Sequence, residues 1–180
     1  MRKIIIIFGL ICFCVALRLA PHAPNVVPMT AFAVFTGYAL RWRTSLYIAP
    51  FAVFLSDLVI GFYEWQVMVV VYLSYASMVL IARAFKAETS ARRMMVATWI
   101  SSLMFFVTTN GAVWLFSPWY EKSLFGLLQT YFNGLPFLRN SLIGDMGYGL
   151  LFYLGYALYQ ARAPVYGGLK RLLARSSITP

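Results

Sequence analysis

Cysteine, histidine and acidic residues are all scarce in this chain of 180 residues, which has two Cys, one His and five Asp and Glu together. Two cysteines are too few for the disulfide framework of a small secreted domain, and one histidine is too few for a multi-histidine zinc site. The sequence also contains no phosphate-binding loop, no nucleophile elbow and no His-Glu-x-x-His pattern. We therefore expect no enzymatic activity, no bound metal and no cofactor.

Apolar residues are what the sequence has in excess, since they make up 62% of the chain and charged residues only 11%. A soluble domain is about half apolar and about a quarter charged. The composition therefore predicts an all-α integral membrane protein. The apolar residues fall into six runs, at 4–19, 27–40, 45–61, 66–82, 94–116 and 142–159.

A spanning helix needs about 20 predominantly apolar residues, so the six runs predict six transmembrane helices. We expect them to form one transmembrane domain over residues 1–162, followed by a basic cytoplasmic tail at 163–180. Six helices of this length leave too few residues for a separate soluble domain. The chain is therefore predicted to consist almost entirely of membrane-embedded structure.

Basic residues are distributed unevenly between the predicted loops. If the N-terminus lies inside, the inner segments hold twelve of the fifteen Lys and Arg residues, and the outer segments hold Arg18, Lys122 and Arg139. Of the five acids, only Glu88 lies inside. The positive-inside rule then places both termini in the cytoplasm. The net charge of +10 does not indicate nucleic-acid binding, because the bases lie between apolar runs rather than on one face of a soluble fold.

The segment 117–139, between the fifth and sixth runs, is only half apolar. Ser117 is a suitable N-cap for a helix whose first residue is Pro118. Apolar residues then recur at helical spacing, and Gly134 and Pro136 predict the end of the helix. We expect an amphipathic helix of about four turns at the outer interface. It would be either a connector resting on the lipid or a lid over an outward-facing pocket.

Polar residues that fall within or beside the apolar runs cluster at the predicted outer ends of the helices. They are Arg18, His22, Asn25, Asp57, Asn110, Asn140 and Asp145. Charged side chains are costly in hydrocarbon, at roughly 2.5–3.5 kcal/mol on insertion scales, and so suggest functional roles. Two interpretations stay open: a water-accessible pocket, or interhelical contacts in which Arg18 pairs with Asp57 or Asp145.

Several short motifs occur in an order and spacing that resemble a family of six-helix bacterial membrane proteins. That family is similar to the substrate-binding S components of energy-coupling factor (ECF) vitamin transporters. The motifs are Pro24-Asn25-x-x-Pro28 with Ala31 and Phe35-x-Gly37, Ser56-Asp57 with Gly61, Asn110 with Trp114, Tyr131 before Leu135-Pro136-Phe137, and Asn140 with Gly144-Asp145. The resemblance covers residues 18 to 155, which is most of the chain.

The resemblance implies a protein of the bacterial inner membrane that captures a small vitamin-like micronutrient in a pocket under its outer loops. It implies a partner module made of a transmembrane protein and two ATPases. Ala16 and Ala20 have the spacing of the family's docking motif but lie at the outer end of the first helix, so solitary operation stays open. The expected substrate-binding residues are Arg18, His22, Asn25, Asp57, Asn110, Trp114, Tyr131, Asn140 and Asp145. The alternative is a non-transporting scaffold or assembly protein whose outer polar residues are structural.

Overall fold

Helices are the regular elements of the computed structural model, which describes the backbone of residues 2–85 and 90–176 and the side chains of residues 5–85 and 90–161. The all-α class predicted from the composition is confirmed. The helices are α1 (Arg2–Leu19), α2 (Met29–Ala39), α3 (Trp42–Ile60), α4 (Trp65–Ala84), α5 (Ala91–Phe116) and α6 (Leu124–Ser176).

Three of these helices, α3, α4 and α5, are long and apolar enough to cross a membrane. The apolar parts of α1 and α2 are shorter, at Ile5–Leu19 and Met29–Ala39. At 1.5 Å per residue, the 26 residues of α5 span about 39 Å, more than the hydrocarbon thickness of a bilayer. These lengths indicate that the protein is associated with a membrane.

The short helix α2 lies at the centre of the fold and contacts each of the other five helices. Nine of its 11 residues are buried, which explains why it is apolar on every side rather than on one face. Gly37 permits a close approach to α4, because a Cβ atom there would lie 2.8 Å from the Cβ atom of Ala82 and 3.0 Å from the carbonyl oxygen of Val79. The core therefore forms around α2, with α4 packed directly against it.

Local sequence determines where the helices begin and end. Leu40 and Arg41 are both extended, so only this short break separates α2 from α3. Gly61 ends α3 with a φ of 107°, a conformation that glycine adopts without strain. Ser90 caps α5 by accepting a hydrogen bond from the Arg93 backbone N–H at 3.4 Å.

The helix α6 differs from the prediction, because it runs without a break from Leu124 to Ser176. The separate interfacial helix that we predicted over 117–139 is therefore wrong. Ser117 is the C-cap of α5 and does not start the next helix. Ser123 caps the start of α6, because its Oγ accepts a hydrogen bond from the Gly126 N–H at 3.1 Å. The predicted outer helix is the first part of α6, packed along α5.

Packing explains why Gly134 and Pro136 do not end this helix. A Cβ atom at Gly134 would lie 2.6 Å from Asn110 Oδ1 and 2.8 Å from Phe106 Cε2. Glycine here permits a close approach between α5 and α6 rather than terminating α6. Proline is tolerated within helices at membrane depth when neighbouring helices support the backbone. The helical backbone also continues past residue 162, where we placed the end of the transmembrane domain, and residues 177–180 lie outside the described part.

The helix directions bring the basic loops to one end of the bundle. Tyr38 at the end of α2 lies within electrostatic range of Arg93 at the start of α5. Gly37 packs against Ala82, which precedes Arg83 in the last turn of α4. Arg18 and Asp57 meet at the other end. Lys86 and Glu88, which the sequence places on the inner side, lie outside the described residues.

Candidate functional site

A buried ion pair joins α1 to α3. Arg18 Nη2 lies 2.8 Å from Asp57 Oδ1, and only 1% of Asp57 is exposed. The other terminal nitrogen of Arg18 donates to the carbonyl oxygen of Val53 at 3.1 Å and to the hydroxyl of Ser56. The hydroxyl of Tyr72 donates to Asp57 Oδ2 at 2.8 Å, which adds α4 to the contact. We call Arg18, Ser56, Asp57 and Tyr72 the Arg18 cluster.

One carboxylate oxygen of the Arg18 cluster, Asp57 Oδ1, lacks a hydrogen bond in the described part of the chain. Asp57 Oδ1 is close to the Arg18 guanidinium but accepts no hydrogen bond of good geometry within the described residues. Tyr63, in the turn between α3 and α4, lies near the same carboxylate. Burial, together with the charge of Asp57, raises the pKa of Tyr63 to about 12, so this phenol stays protonated at neutral pH. The cluster combines one cation, one carboxylate and the hydroxyls of Ser56 and Tyr72, and Tyr63 lies beside it.

A second buried carboxylate, Asp145 of α6, is 2% exposed. The hydroxyl of Ser102 on α5 donates to its Oδ2 atom at 2.6 Å. The Thr30 side chain and the Ala31 backbone N–H also donate to Asp145. Thr30 and Ala31 lie in the first turn of α2, whose N-cap residue, Pro28, has no side chain that could cap it. We call Thr30, Ala31, Ser102 and Asp145 the Asp145 cluster.

The Asp145 cluster replaces a conventional helix cap. The N-terminus of a helix carries unpaired N–H groups that need acceptors. Asp145 supplies a carboxyl acceptor from a position more than 100 residues away along the chain. It therefore fixes α2, α5 and α6 relative to one another.

Tyr75 of α4 lies near both clusters. Its hydroxyl is within electrostatic range of both Asp57 and Asp145, and its ring packs against Phe105 at a centroid distance of 5.2 Å. Only 6% of the residue is exposed. Within the described part of the chain, the Tyr75 hydroxyl forms no hydrogen bond. A hydroxyl without a described protein partner thus lies within electrostatic range of both carboxylates.

The first loop, residues 20–28, is held against α6 and α1. Asn140 donates from Nδ2 to the carbonyl oxygen of Pro24 at 3.0 Å. The His22 ring lies between the carbonyl oxygens of Ala23, at 2.9 Å, and Arg18, at 3.1 Å. Asn25 is exposed and adopts a positive φ of 62°, which asparagine tolerates better than most residues. His22, Asn25 and Asn140 therefore shape this loop.

The remaining predicted site residues lie along the contact between α5 and α6. Asn110 donates to the Phe106 carbonyl at 2.8 Å, and Tyr131 donates to the Val107 carbonyl at 2.9 Å. Trp114 donates from Nε1 to the carbonyl oxygen of Glu121 at 2.9 Å. These hydrogen bonds hold the turn and the helix pair together and do not reach the Arg18 cluster.

Among the nine predicted site residues, Arg18 forms an ion pair with Asp57 and not with Asp145. Sequence reasoning missed Thr30, Tyr72, Tyr75 and Ser102, which surround the two carboxylates. Their sequence signal was weak, because a single hydroxyl within an apolar run is common in membrane helices, where it hydrogen-bonds across or within helices. Among the described residues, no group of three His, Cys, Asp or Glu side chains could hold a metal ion.

The fold and these contacts define an all-helical protein with membrane-length helices and two carboxylates buried inside the bundle. The chain belongs to the family of unknown function DUF6580, whose sequence profile matches residues 1–166. No curated protein and no solved structure gives a significant match.

Proposed function

We propose that this protein captures a small vitamin-like molecule from the outer side of a bacterial inner membrane, in a role similar to that of the S components of ECF transporters. The observation that carries the proposal is the Tyr75 hydroxyl, which lies within electrostatic range of both Asp57 and Asp145 and hydrogen-bonds to no described residue. A phenolic hydroxyl both donates and accepts, so this group can hydrogen-bond to a ligand that reaches it.

The surroundings of Tyr75 suggest the chemistry of the ligand. Tyr72 and Phe105 supply aromatic surface, while Asp57 Oδ1 supplies an acceptor. A small molecule with a flat apolar body and polar groups at its edge fits this combination, and many micronutrients have that character. Pockets of this type are mostly apolar, with a few convergent polar groups that fix the orientation of the ligand.

The membrane arrangement that goes with this proposal has six spanning helices and cytoplasmic termini. Support comes from the twelve bases on the predicted inner segments and from the helix directions, which gather the basic loops at one end. The Arg18 cluster lies at the other end, where a substrate from outside would arrive. An energising transmembrane and ATPase module is part of the proposal as a partner, and solitary operation is its alternative.

A second candidate function is a non-transporting scaffold or assembly protein. The specific observation in its favour is that each carboxylate already has protein partners: Arg18 for Asp57, and Ser102 with the first turn of α2 for Asp145. Under this hypothesis the polar residues only hold the helices together. The Tyr75 hydroxyl then has no role, and its removal should change nothing except packing.

Native mass spectrometry of the protein purified in mild detergent from its own source distinguishes the two functions. We expect one small non-lipid molecule per chain in the wild type and its loss in Tyr75→Phe, because the ring and its packing are retained. Tyr47→Phe is the matched control, since Tyr47 is 74% exposed and lies on α3, away from both clusters. Spectra that show only lipid adducts in the wild type would favour the scaffold.

A further inference from the structure

An apolar groove runs along the bundle between α1 and α6, with α2 as its floor. Its volume is about 800 Å³, and the residues that line it include Ile6, Leu10, Phe35, Phe152, Gly155 and Tyr156. The groove exists because α1 and α6 do not contact each other anywhere in the described part of the chain, although both contact α2. It is thus open on the side that faces the lipid.

The groove has the length of one bilayer leaflet. Its α6 wall extends from Leu151 to Tyr159, which is about 12 Å at 1.5 Å per residue. Half of a hydrocarbon core of about 30 Å is about 15 Å. An occupant that lies along the groove would therefore stay within a single leaflet, as an acyl chain does.

The end of the groove is polar and positively charged. Arg41 and Thr44 line the groove and also a second cavity of about 510 Å³, which Trp42 and Arg43 complete. The Arg43 guanidinium stacks over the Trp42 ring at 5.5 Å, and Trp is typical of the membrane–water interface. Within the described residues, neither Arg41 nor Arg43 forms an ion pair with an acidic side chain. We call this second cavity the head pocket.

The backbone of the head pocket adds further donors. Arg41 is the N-cap of α3 but makes no side-chain cap, and the first turn of that helix contains no acidic residue. The first N–H groups of α3 therefore lack a capping partner and carry the positive end of the helix dipole. Two guanidinium groups and a helix N-terminus together complement a phosphate group.

We propose that the groove and the head pocket form one binding site for an anionic phospholipid of the cytoplasmic leaflet. The acyl chain occupies the groove between α1 and α6, and the phosphate lies in the head pocket on Arg41 and Arg43. The site is separate from the Arg18 cluster and does not depend on the proposed substrate. A lipid held here fills the space that α1 and α6 leave between them.

The test measures lipid retention by native mass spectrometry, after delipidated protein in detergent has been titrated with phosphatidylglycerol or with phosphatidylcholine of the same acyl chains. We expect the wild type to retain one phosphatidylglycerol at least about tenfold more tightly than phosphatidylcholine. The double variant Arg41→Gln/Arg43→Gln should lose this preference. Equal retention of the two lipids by the wild type would overturn the proposal.

A matched pair of glycine variants tests the groove itself. A Cβ atom at Gly155 or at Gly147 meets nothing within 4 Å, so both positions of α6 accept a larger side chain without a clash. Gly155→Leu fills the groove and should abolish phosphatidylglycerol retention, whereas Gly147→Leu should retain it as the wild type does. Undiminished retention in Gly155→Leu would contradict the proposal. A wild-type protein dimer that Gly155→Leu dissociates and Gly147→Leu does not would also contradict it.

Discussion

At the scale of single residues, the buried charges are the least expected feature of so apolar a chain. Arg18 pairing with Asp57 or Asp145 was one of the two interpretations that the sequence left open, and the sequence could not choose between the two acids because they have the same predicted depth. In the structure, Arg18 pairs with Asp57, whereas Asp145 accepts hydrogen bonds at the N-terminus of α2. That second role could not be predicted, because it depends on which helix end comes to lie beside α6.

The Arg18–Asp57 pair leads to a prediction about stability. Asp57→Asn leaves a largely buried guanidinium without its anion, and breaking a buried pair in this way costs about 3–5 kcal/mol. We expect a marked loss of thermal stability in detergent, measured by the unfolding transition. The double variant Asp57→Asn/Arg18→Gln should regain much of it, because no unpaired charge remains.

The control for this comparison is Arg139→Gln, which removes an exposed base outside the cluster. It should unfold at nearly the wild-type temperature. If Asp57→Asn alone unfolds like the wild type, the ion pair contributes nothing to stability and the structural role of the Arg18 cluster is refuted.

At the scale of helices, apolar length correctly predicted three membrane-length helices, whereas turn chemistry predicted one helix boundary wrongly. The predicted runs at 45–61, 66–82 and 94–116 correspond to α3, α4 and α5. The segment after α5 was misassigned because Ser117, Gly134 and Pro136 are all typical of helix ends. Their actual roles depend on α5: Ser117 bonds back to the Val113 carbonyl at 2.7 Å, and Gly134 makes room for Asn110.

The corrected start of α6 can be tested with two serine variants. Ser123→Ala removes the side-chain acceptor of the Gly126 N–H and should cost about 1 kcal/mol, as the loss of a helix N-cap typically does. Ser117→Ala should cost less, because its hydroxyl bonds to a carbonyl at the end of α5 and caps no helix start. Chemical or thermal unfolding of both variants measures the difference. A larger cost for Ser117→Ala would restore the original assignment.

At the scale of the whole molecule, the charge distribution predicts the orientation in the membrane. In a variant whose two native cysteines are replaced by alanine, a cysteine introduced at position 22 or 122 should react with an impermeant maleimide added outside intact cells. A cysteine at position 88 should react only after permeabilisation, because the inner segments hold most of the bases. The reverse pattern would place the Arg18 cluster on the cytoplasmic side and contradict capture from outside.

Sequence patterns predict the depth of the candidate site residues along the helices but not which side chains lie next to one another. Arg18 and Asp57 lie near the ends of α1 and α3 as expected, whereas Asn140 and Asp145, which were expected at the start of a sixth helix, lie inside the continuous helix α6. Lateral neighbours depend on helix packing, so Tyr75 went unnoticed in an apolar run although it lies within electrostatic range of both carboxylates. Trp114 and Tyr131 carried a motif resemblance, yet their hydrogen bonds are confined to the α5–α6 region.

The central claim, capture of a small molecule at Tyr75, is tested most directly by adding a concentrated small-molecule extract of the source cells to the purified protein and measuring thermal unfolding. A ligand present at a hundred times its Kd adds about 2.7 kcal/mol of stability. The account predicts an upward shift of the unfolding temperature in the wild type and in Tyr47→Phe, and a much smaller shift in Tyr75→Phe. Unfolding curves that are identical with and without the extract, or a full shift in Tyr75→Phe, would contradict it.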